Sequence, residues 1–329
     1  MIGKYVYKST GKAVPGQPFK PGQLIPTDDP LDIESILYLD ATCLRDFSNC
    51  REFFRRRYVE NVVPKRPALD KEYGIIVHRA IESFWGGKEY NEAYGLSAKA
   101  WAAVDLTHCT VKDREKYERL ADALPEVIGV YYEEHGEAEG QAMLEYEWVQ
   151  RYPSNDGSGT VANAETNIVL CGRIDRYSLD AILYDVKTAS EIGRNWKSDY
   201  KEAALRDIGV ALYDWYLCQV QPDSRPRNVV LEVLVKPYRD KRARYEAVEL
   251  PELVTDAYRN RFKQQLDFRV RELSHWWRSY QAMKPWVMSD TACVTRYGLC
   301  DYITLCNRGD SERNLKLYKP REEHLCIRQ

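Results

Sequence analysis

Apolar side chains recur at helical spacing from Lys112 to His135, where Leu120, Leu124, Val127 and Tyr131 form one stripe. They do so again from Glu252 to Tyr280, where Tyr258, Phe262, Leu266, Val270, Leu273, Trp277 and Tyr280 form another. The same period predicts a helix capped at Asp40 and running to about Val59, and a second beginning near Lys71 and carrying Gly74, His78, Ile81 and Phe84. A further helix is predicted from Tyr200 to Leu217, with Leu205, Ile208, Leu212, Tyr213 and Tyr216 inward. Alternating or continuously apolar runs predict strands at Met143–Val149, Asn167–Tyr177, Ala181–Thr188 and Asn228–Val235. Ser178-Leu179-Asp180 reads as the turn between the middle pair, and Ser154–Gly159 as a loop. Helices first, strands among helices next and a cysteine-bearing tail last predict an α/β or α+β architecture. The expected segments are a loose arm over 1–30, a helical part over 31–135, a sheet-bearing core over 136–250 and a helix with the cysteine-rich tail over 251–329.

The 329 residues, 44% hydrophobic and 30% charged, suffice for one large domain or two modest ones with a true core. The chain has no apolar run long enough for a bilayer, and Met1–Tyr5 lacks the apolar centre of a signal peptide. The expected location is therefore the cytoplasm, with no membrane partner. There the nine cysteines are expected to be reduced thiols or metal ligands rather than disulfides. A net charge of −2 gives no global attraction for nucleic acid. Two local basic runs change that picture: Arg55-Arg56-Arg57, and Lys236 to Arg244 with Arg239 inside it. Both are suited to gripping phosphates without reading sequence.

The candidate chemistry is concentrated in Gly172-Arg173-Ile174-Asp175 and Tyr184-Asp185-Val186-Lys187-Thr188. If the turn centres near Asp180, antiparallel pairing sets Asp175 opposite Asp185 on one face, and Lys187 points to the same face. Facing carboxylates repel and call for a cation, and oxygen donors favour Mg²⁺ or Mn²⁺. An ammonium beside that cation can orient a water and stabilise phosphorane-like charge. On these residues alone, a solvated hairpin with scattered charges remains the alternative. Cys293, Cys300 and Cys306 fall within fourteen residues and leave a tetrahedral or cubane site one ligand short. Cys50, on the basic aromatic N-terminal helix, is the candidate fourth, whereas Cys171 and Cys218 read as small hydrophobes. Spacing alone does not separate Zn²⁺ from an iron–sulfur cluster. Either would staple the N-terminal helix to the tail across about 240 residues.

In order along the chain, Cys50, Gly74-x-x-x-His78, Gly172-x-x-Asp175, Asp185-x-Lys187, a helix with Tyr213 and three clustered cysteines resemble the PD-(D/E)XK nuclease superfamily from about Cys50 to Cys306. More narrowly, they resemble RecB-type exonucleases with a C-terminal iron–sulfur cluster, a group that includes the AddB nuclease domain, the CRISPR adaptation nucleases and phage-encoded relatives. The resemblance implies a restriction-endonuclease-like central mixed β-sheet flanked by helices. It also implies a Mg²⁺- or Mn²⁺-dependent deoxyribonuclease, an exonuclease acting on single-stranded DNA or DNA ends.

By the same resemblance, His78, Asp175, Asp185 and the Val186 carbonyl bind the metal, and Asp175, Asp185 and Lys187 are catalytic. Cys50, Cys293, Cys300 and Cys306 hold a [4Fe-4S] cluster. Arg55, Arg56, Arg57, Lys236, Arg239 and Tyr213 are the expected DNA contacts. Helicase, recombination or CRISPR-type proteins are the implied partners, in a prokaryotic or phage-infected cell. One departure is visible: the family often carries Gln four residues before the Tyr of that helix, and Gly209 stands there instead. A catalytically silent DNA-binding or interaction protein and a structure-specific endonuclease are the alternatives on the same fold.

Overall fold

The computed structural model describes residues 36–136, 142–152, 167–189, 201–203, 207–220, 225–237, 242–281, 293–295 and 298–320. The elements in chain order are β1 (Ile36–Leu39), α1 (Ala41–Asn49), α2 (Arg51–Phe54) continued by a π turn (Arg55–Val59), β2 (Val62–Pro64), α3 (Leu69–Trp85), α4 (Tyr90–Ala102), α5 (Val111–His135), β3 (Ala142–Arg151), β4 (Asn167–Ser178), β5 (Ile182–Ala189), α6 (Ile208–Val220), β6 (Asn228–Val235), β7 (Arg244–Glu249), a 3-10 turn (Pro251–Val254), α7 (Asp256–Gln281), β8 (Val294–Thr295), β9 (Gly298–Leu299), α8 (Ile303–Arg308), α9 (Glu312–Leu315) and β10 (Tyr318–Pro320). The described residues gather into two compact units. One draws on 65–146 and 174–260, the other on 1–64, 147–173 and 261–329.

In the first unit, β4 pairs antiparallel with β5, β5 runs parallel to β6 from Ile182–Asn228 to Ala189–Val235, and β6 pairs antiparallel with β7. β6 reads Asn-Val-Val-Leu-Glu-Val-Leu-Val because it lies between two neighbours and is buried along most of its length. The helices α3, α4 and α5 close over Val186, Leu234 and Ala243 of the sheet region. The predicted stripe Leu120, Leu124, Val127 and Tyr131 lies in that core with Tyr73, Val77 and Phe84. A reciprocal capping box opens α5: Asp113 donates its N–H to Thr110 Oγ1, and Thr110 donates its N–H to Asp113 Oδ2. The turn between β4 and β5 closes with Ala181 N–H donating to Ser178 O, and Ala181 adopts a left-handed φ of 60°. In the second unit, β1 runs parallel to the start of β4, β10 pairs with β2, and β8 with β9. Parallel and antiparallel pairs with flanking helices make the mixed α/β architecture that was expected.

Three predicted helices are cut differently. Asp40 caps α1 as expected, accepting the Cys43 N–H, but the helix does not continue to Val59. At Cys50 the backbone is extended (φ −159°, ψ 115°), and its sulfur then caps α2 by accepting the Phe53 N–H. The expected Tyr200–Leu217 helix is interrupted at Asp207: residues 201–203 are helical, and α6 starts at Ile208, where the Asp207 carboxylate takes the Gly209 N–H at 2.7 Å. The Glu252–Tyr280 helix is a 3-10 turn followed by α7, separated at Thr255, whose hydroxyl accepts the Tyr258 N–H. The arm over 1–30, the loop Ser154–Gly159 and Leu205 lie outside the described residues, as do the side chains of Trp277 and Tyr280. Among the described residues no helix is long and apolar enough to cross a membrane.

Candidate functional site

The β4–β5 ladder runs through Tyr177–Leu183 and Arg176–Tyr184. One residue further on, a side chain takes the place of a rung: Asp175 Oδ2 accepts the backbone N–H of Val186 at 2.8 Å. Asp175 Oδ1 lies 3.4 Å from Nδ1 of His78, which α3 supplies. Gly74 is one helical turn before His78. A Cβ there would sit 3.5 Å from Thr188 Oγ1 of β5, an ordinary contact, so alanine would also fit. On β5, Lys187 Nζ donates to Asp185 Oδ1 at 2.8 Å. The two side chains differ sharply in access, 5% exposed for Asp185 and 43% for Lys187. The other oxygen, Asp185 Oδ2, is buried and has no hydrogen-bond partner.

Neighbouring charges split the two acids. Burial pushes the Asp185 carboxyl up to about 6, with Lys187 opposing and Asp175 and Asp207 adding to the rise. Burial also works against the Asp175 anion, but His78, Lys187 and the Val186 N–H together hold its pKa below the ordinary carboxylate value. Lys187 is held above its ordinary value: burial opposes the ammonium, and Asp185, Asp207 and Asp175 override that opposition. Adjacent carboxylates shifted in opposite directions are a pattern of functional sites. Asp207 is the third acid of this neighbourhood. Its clue in the sequence is its place just ahead of a helix, where Asp commonly caps.

An unpartnered buried carboxylate oxygen is costly unless a donor or a cation completes it. Among the described residues no three His, Cys, Asp or Glu side chains form a metal-binding group. The His78–Asp175 and Lys187–Asp185 contacts engage the would-be ligands with one another.

The cysteines form a separate neighbourhood. Cys50 is buried and Cys293, Cys300 and Cys306 are half-buried, none of them in a disulfide. Cys50 and Cys300 sulfurs each accept a backbone N–H at 3.5 Å, from Phe53 and Tyr302. Cys300 N–H donates to Cys293 O at 2.9 Å. Burial pushes the Cys306 thiol up to about 11, with Glu52, Cys300 and Cys50 adding to the shift. Cys300 is raised as well: burial leads, the Tyr302 N–H opposes, and Asp301, Cys50 and Cys293 add. The four sulfurs are thus electrostatic neighbours, and Cys300 and Cys306 pack beside Tyr302, Leu305 and Tyr318.

Residues 39–307 match the PD-(D/E)XK nuclease superfamily. The chain belongs to that superfamily. No curated protein matches it. Among solved structures it is similar to a "putative exonuclease" from Eubacterium rectale, at 11% identity and a TM-score of 0.45, over 83% of this chain and 94% of that one. It is also similar to the protein SSO0001, at 12% identity and a TM-score of 0.24, over 60% and 71% of the two chains. Membership of the superfamily makes the chain a hydrolytic nuclease by family, with DNA as the substrate class and a Mg²⁺ or Mn²⁺ requirement usual in such enzymes.

The basic residues expected to grip DNA in this nuclease are mostly engaged elsewhere. Arg55 pairs with Glu52 and Glu60, and Arg56 with Glu52, Glu60 and Asp310. Arg57 lies half-buried against the Phe53 and Tyr58 rings. Lys236 is buried, donates to Asp70 at 3.2 Å and lies over Tyr73. Arg55, Arg56 and Lys236 thus form ion pairs within the protein: the helical spacing that gathers the arginines also places Glu52 and Glu60 within their reach. Arg239 lies outside the described residues, and Tyr213 is half-buried on α6.

A second group escaped the sequence reading. Glu232, 1% exposed on β6, accepts from Arg176 Nη2 at 2.6 Å and from Tyr245 OH at 3.0 Å, and lies 3.2 Å from His135 Nε2. Arg176, next to Asp175 in sequence, is clamped between the rings of Trp85 and Tyr184. The clue was a lone acid in the middle of an apolar strand.

Proposed function

We propose that the chain is a divalent-metal-dependent DNA exonuclease, acting on single strands or DNA ends, with its reacting centre at His78, Asp175, Asp185 and Lys187. The observation that carries this reading is the buried, unpartnered Oδ2 of Asp185 beside an ionised Asp175. Hard oxygen donors at that point suit Mg²⁺ or Mn²⁺. His78, Asp175, Asp185 and the Val186 carbonyl are the residues that would hold the ion. A bound ion supplies positive charge to the scissile phosphate and acidifies water.

The side chains have distinct tasks. Lys187, fixed by Asp185 yet open to solvent, orients the attacking water and stabilises the negative charge that grows on the phosphate. Asp175 is fixed from two sides, by His78 and by the β5 backbone, so its carboxylate is held in place before substrate arrives. Asp207 adds negative potential that keeps Lys187 protonated. Cys50, Cys293, Cys300 and Cys306 are proposed to hold a [4Fe-4S] cluster with a structural role. Support comes from the backbone N–H groups that donate to the Cys50 and Cys300 sulfurs, as they do to the ligands of such clusters.

The test is cleavage of labelled single-stranded, duplex and circular DNA with Mg²⁺ or Mn²⁺. Wild type is expected to degrade linear strands and leave circles intact. Lys187→Ala is expected to lose cleavage and keep DNA binding. Wild-type rates in that variant would overturn the assignment.

A further inference from the structure

We propose that the outward face of α7 is a platform for single-stranded nucleic acid, on which a base stacks against Phe268. It rests on the nuclease reading only for the class of ligand. Phe262, Leu266, Val270 and Leu273 give α7 one buried stripe. On the other side, Arg261, Gln264, Gln265, Phe268, Arg271 and His275 are exposed. At 3.6 residues per turn, those six lie within about 60° of the Phe268 direction on the helix wheel. Phe268 is 67% exposed, whereas the aromatic side chains Tyr258, Phe262 and Trp276 of the same helix are buried.

The sign of the charge on this face selects the partner. The acids on the same stretch are engaged by donors: Asp267 accepts the Tyr152 hydroxyl, and Glu272 is ion-paired with Arg51. What the stripe presents is Arg271, two side-chain amides and an exposed aromatic ring. That combination complements phosphates flanking a base, because guanidinium groups meet phosphate, amides donate hydrogen bonds, and every base has a face that stacks. The stripe from Arg261 to Arg271 is about 15 Å long, enough for a few nucleotides of an extended strand. A duplex keeps its bases stacked on one another and offers the ring no face, so a single strand is the favoured ligand. Stacking also leaves the platform indifferent to sequence.

The test measures binding of fluorescent oligo(dT) and of a hairpin duplex to the full chain in EDTA, which stops cleavage. Phe268→Ala is expected to weaken oligo(dT) binding on the order of tenfold, with Phe268→Trp restoring it. Arg271→Gln is expected to flatten the salt dependence by roughly 0.7 in log–log slope. Oligo(dT) affinity unchanged within twofold in Phe268→Ala would overturn the platform. So would sedimentation showing that Phe268→Ala breaks a wild-type dimer, since the ring would then be covered by a second copy. A catalytically inert wild type whose oligo(dT) binding depends on Phe268 would sink the active-site reading and leave the platform standing. Metal-dependent cleavage with binding independent of Phe268 would do the reverse.

Discussion

Asp175 on β4 accepts the backbone N–H of Val186 on β5, immediately beyond the last rung of the ladder between the two strands. A single carboxylate thus serves both strand pairing and the proposed metal centre, and two substitutions separate the roles. Asp175→Asn keeps an oxygen for the Val186 N–H and is expected to retain the fold while losing cleavage. Asp175→Ala loses the acceptor as well and is expected to cost an additional ~1–3 kcal/mol in chemical denaturation. Equal stability of the two variants would show that the bond contributes nothing.

The opposed shifts of the two acids give opposite pH behaviour. The Asp175 pKa is depressed by His78, Lys187 and the Val186 N–H acting against burial, so its contribution is present above the unfolded value near 3.8 and is lost as pH falls through the folded pKa. Asp185 is raised to about 6 by burial, so its ionisation destabilises the fold as pH rises from near 3.8 through about 6. In EDTA, Asp185→Asn is therefore expected to melt a few degrees higher than wild type at neutral pH, with the gap closing below pH 4. Added Mn²⁺ should then stabilise wild type and not Asp185→Asn. Melting curves over that pH range, with and without Mn²⁺, decide it. A lower melting point for the variant at neutral pH would contradict the sign.

Glu232 binds Arg176 inside the sheet with His135 beside it. Its removal strands a buried guanidinium. Glu232→Ala is expected to destabilise by ~3–5 kcal/mol, and Glu232→Gln by less, because the amide oxygen still accepts. Denaturant midpoints compare them. A loss under ~1 kcal/mol for the alanine would mean that solvent reaches Arg176.

Arg55 and Arg56 are bound to Glu52, itself buried. Neutralising Arg55 should leave the salt dependence of DNA binding unchanged. Glu52→Ala should destabilise by ~3 kcal/mol or more, since Arg56 would be left buried with less of its pairing. A salt slope reduced by about one in Arg55→Ala would instead show Arg55 contacting a phosphate.

Ala181 holds φ near 60°, a conformation that glycine adopts without strain. Ala181→Gly is expected to stabilise by ~1 kcal/mol with no effect on cleavage. Thermal melts alongside the nuclease assay would show it.

The pairing of β4 with β5 was legible because turn residues punctuate two apolar runs, and the register through Arg176–Tyr184 agrees with a turn centred at Asp180. The α5 stripe was legible for a similar reason: one face of a long helix is simply buried. What escaped was local competition for backbone N–H groups. Cys50, Asp207 and Thr255 each take an N–H near a helix start and so set breaks that a periodicity reading runs through. Charge proved harder still. Glu52, Glu60 and Asp310 stand around Arg55 and Arg56, and Asp310 is remote in sequence, so that pairing is not legible in the basic run itself.

The short connection Leu179–Ala181 acts as a gauge. Leu179 at its tip is freely exposed, so its identity can drift. Its residue count cannot: side chains alternate between the faces of a strand, and losing or gaining one residue here would turn Asp185 and Lys187 away from Asp175. The proposed reacting centre is thus guarded by a length as well as by side chains, and a one-residue deletion at the tip should be as disabling as replacing an acid.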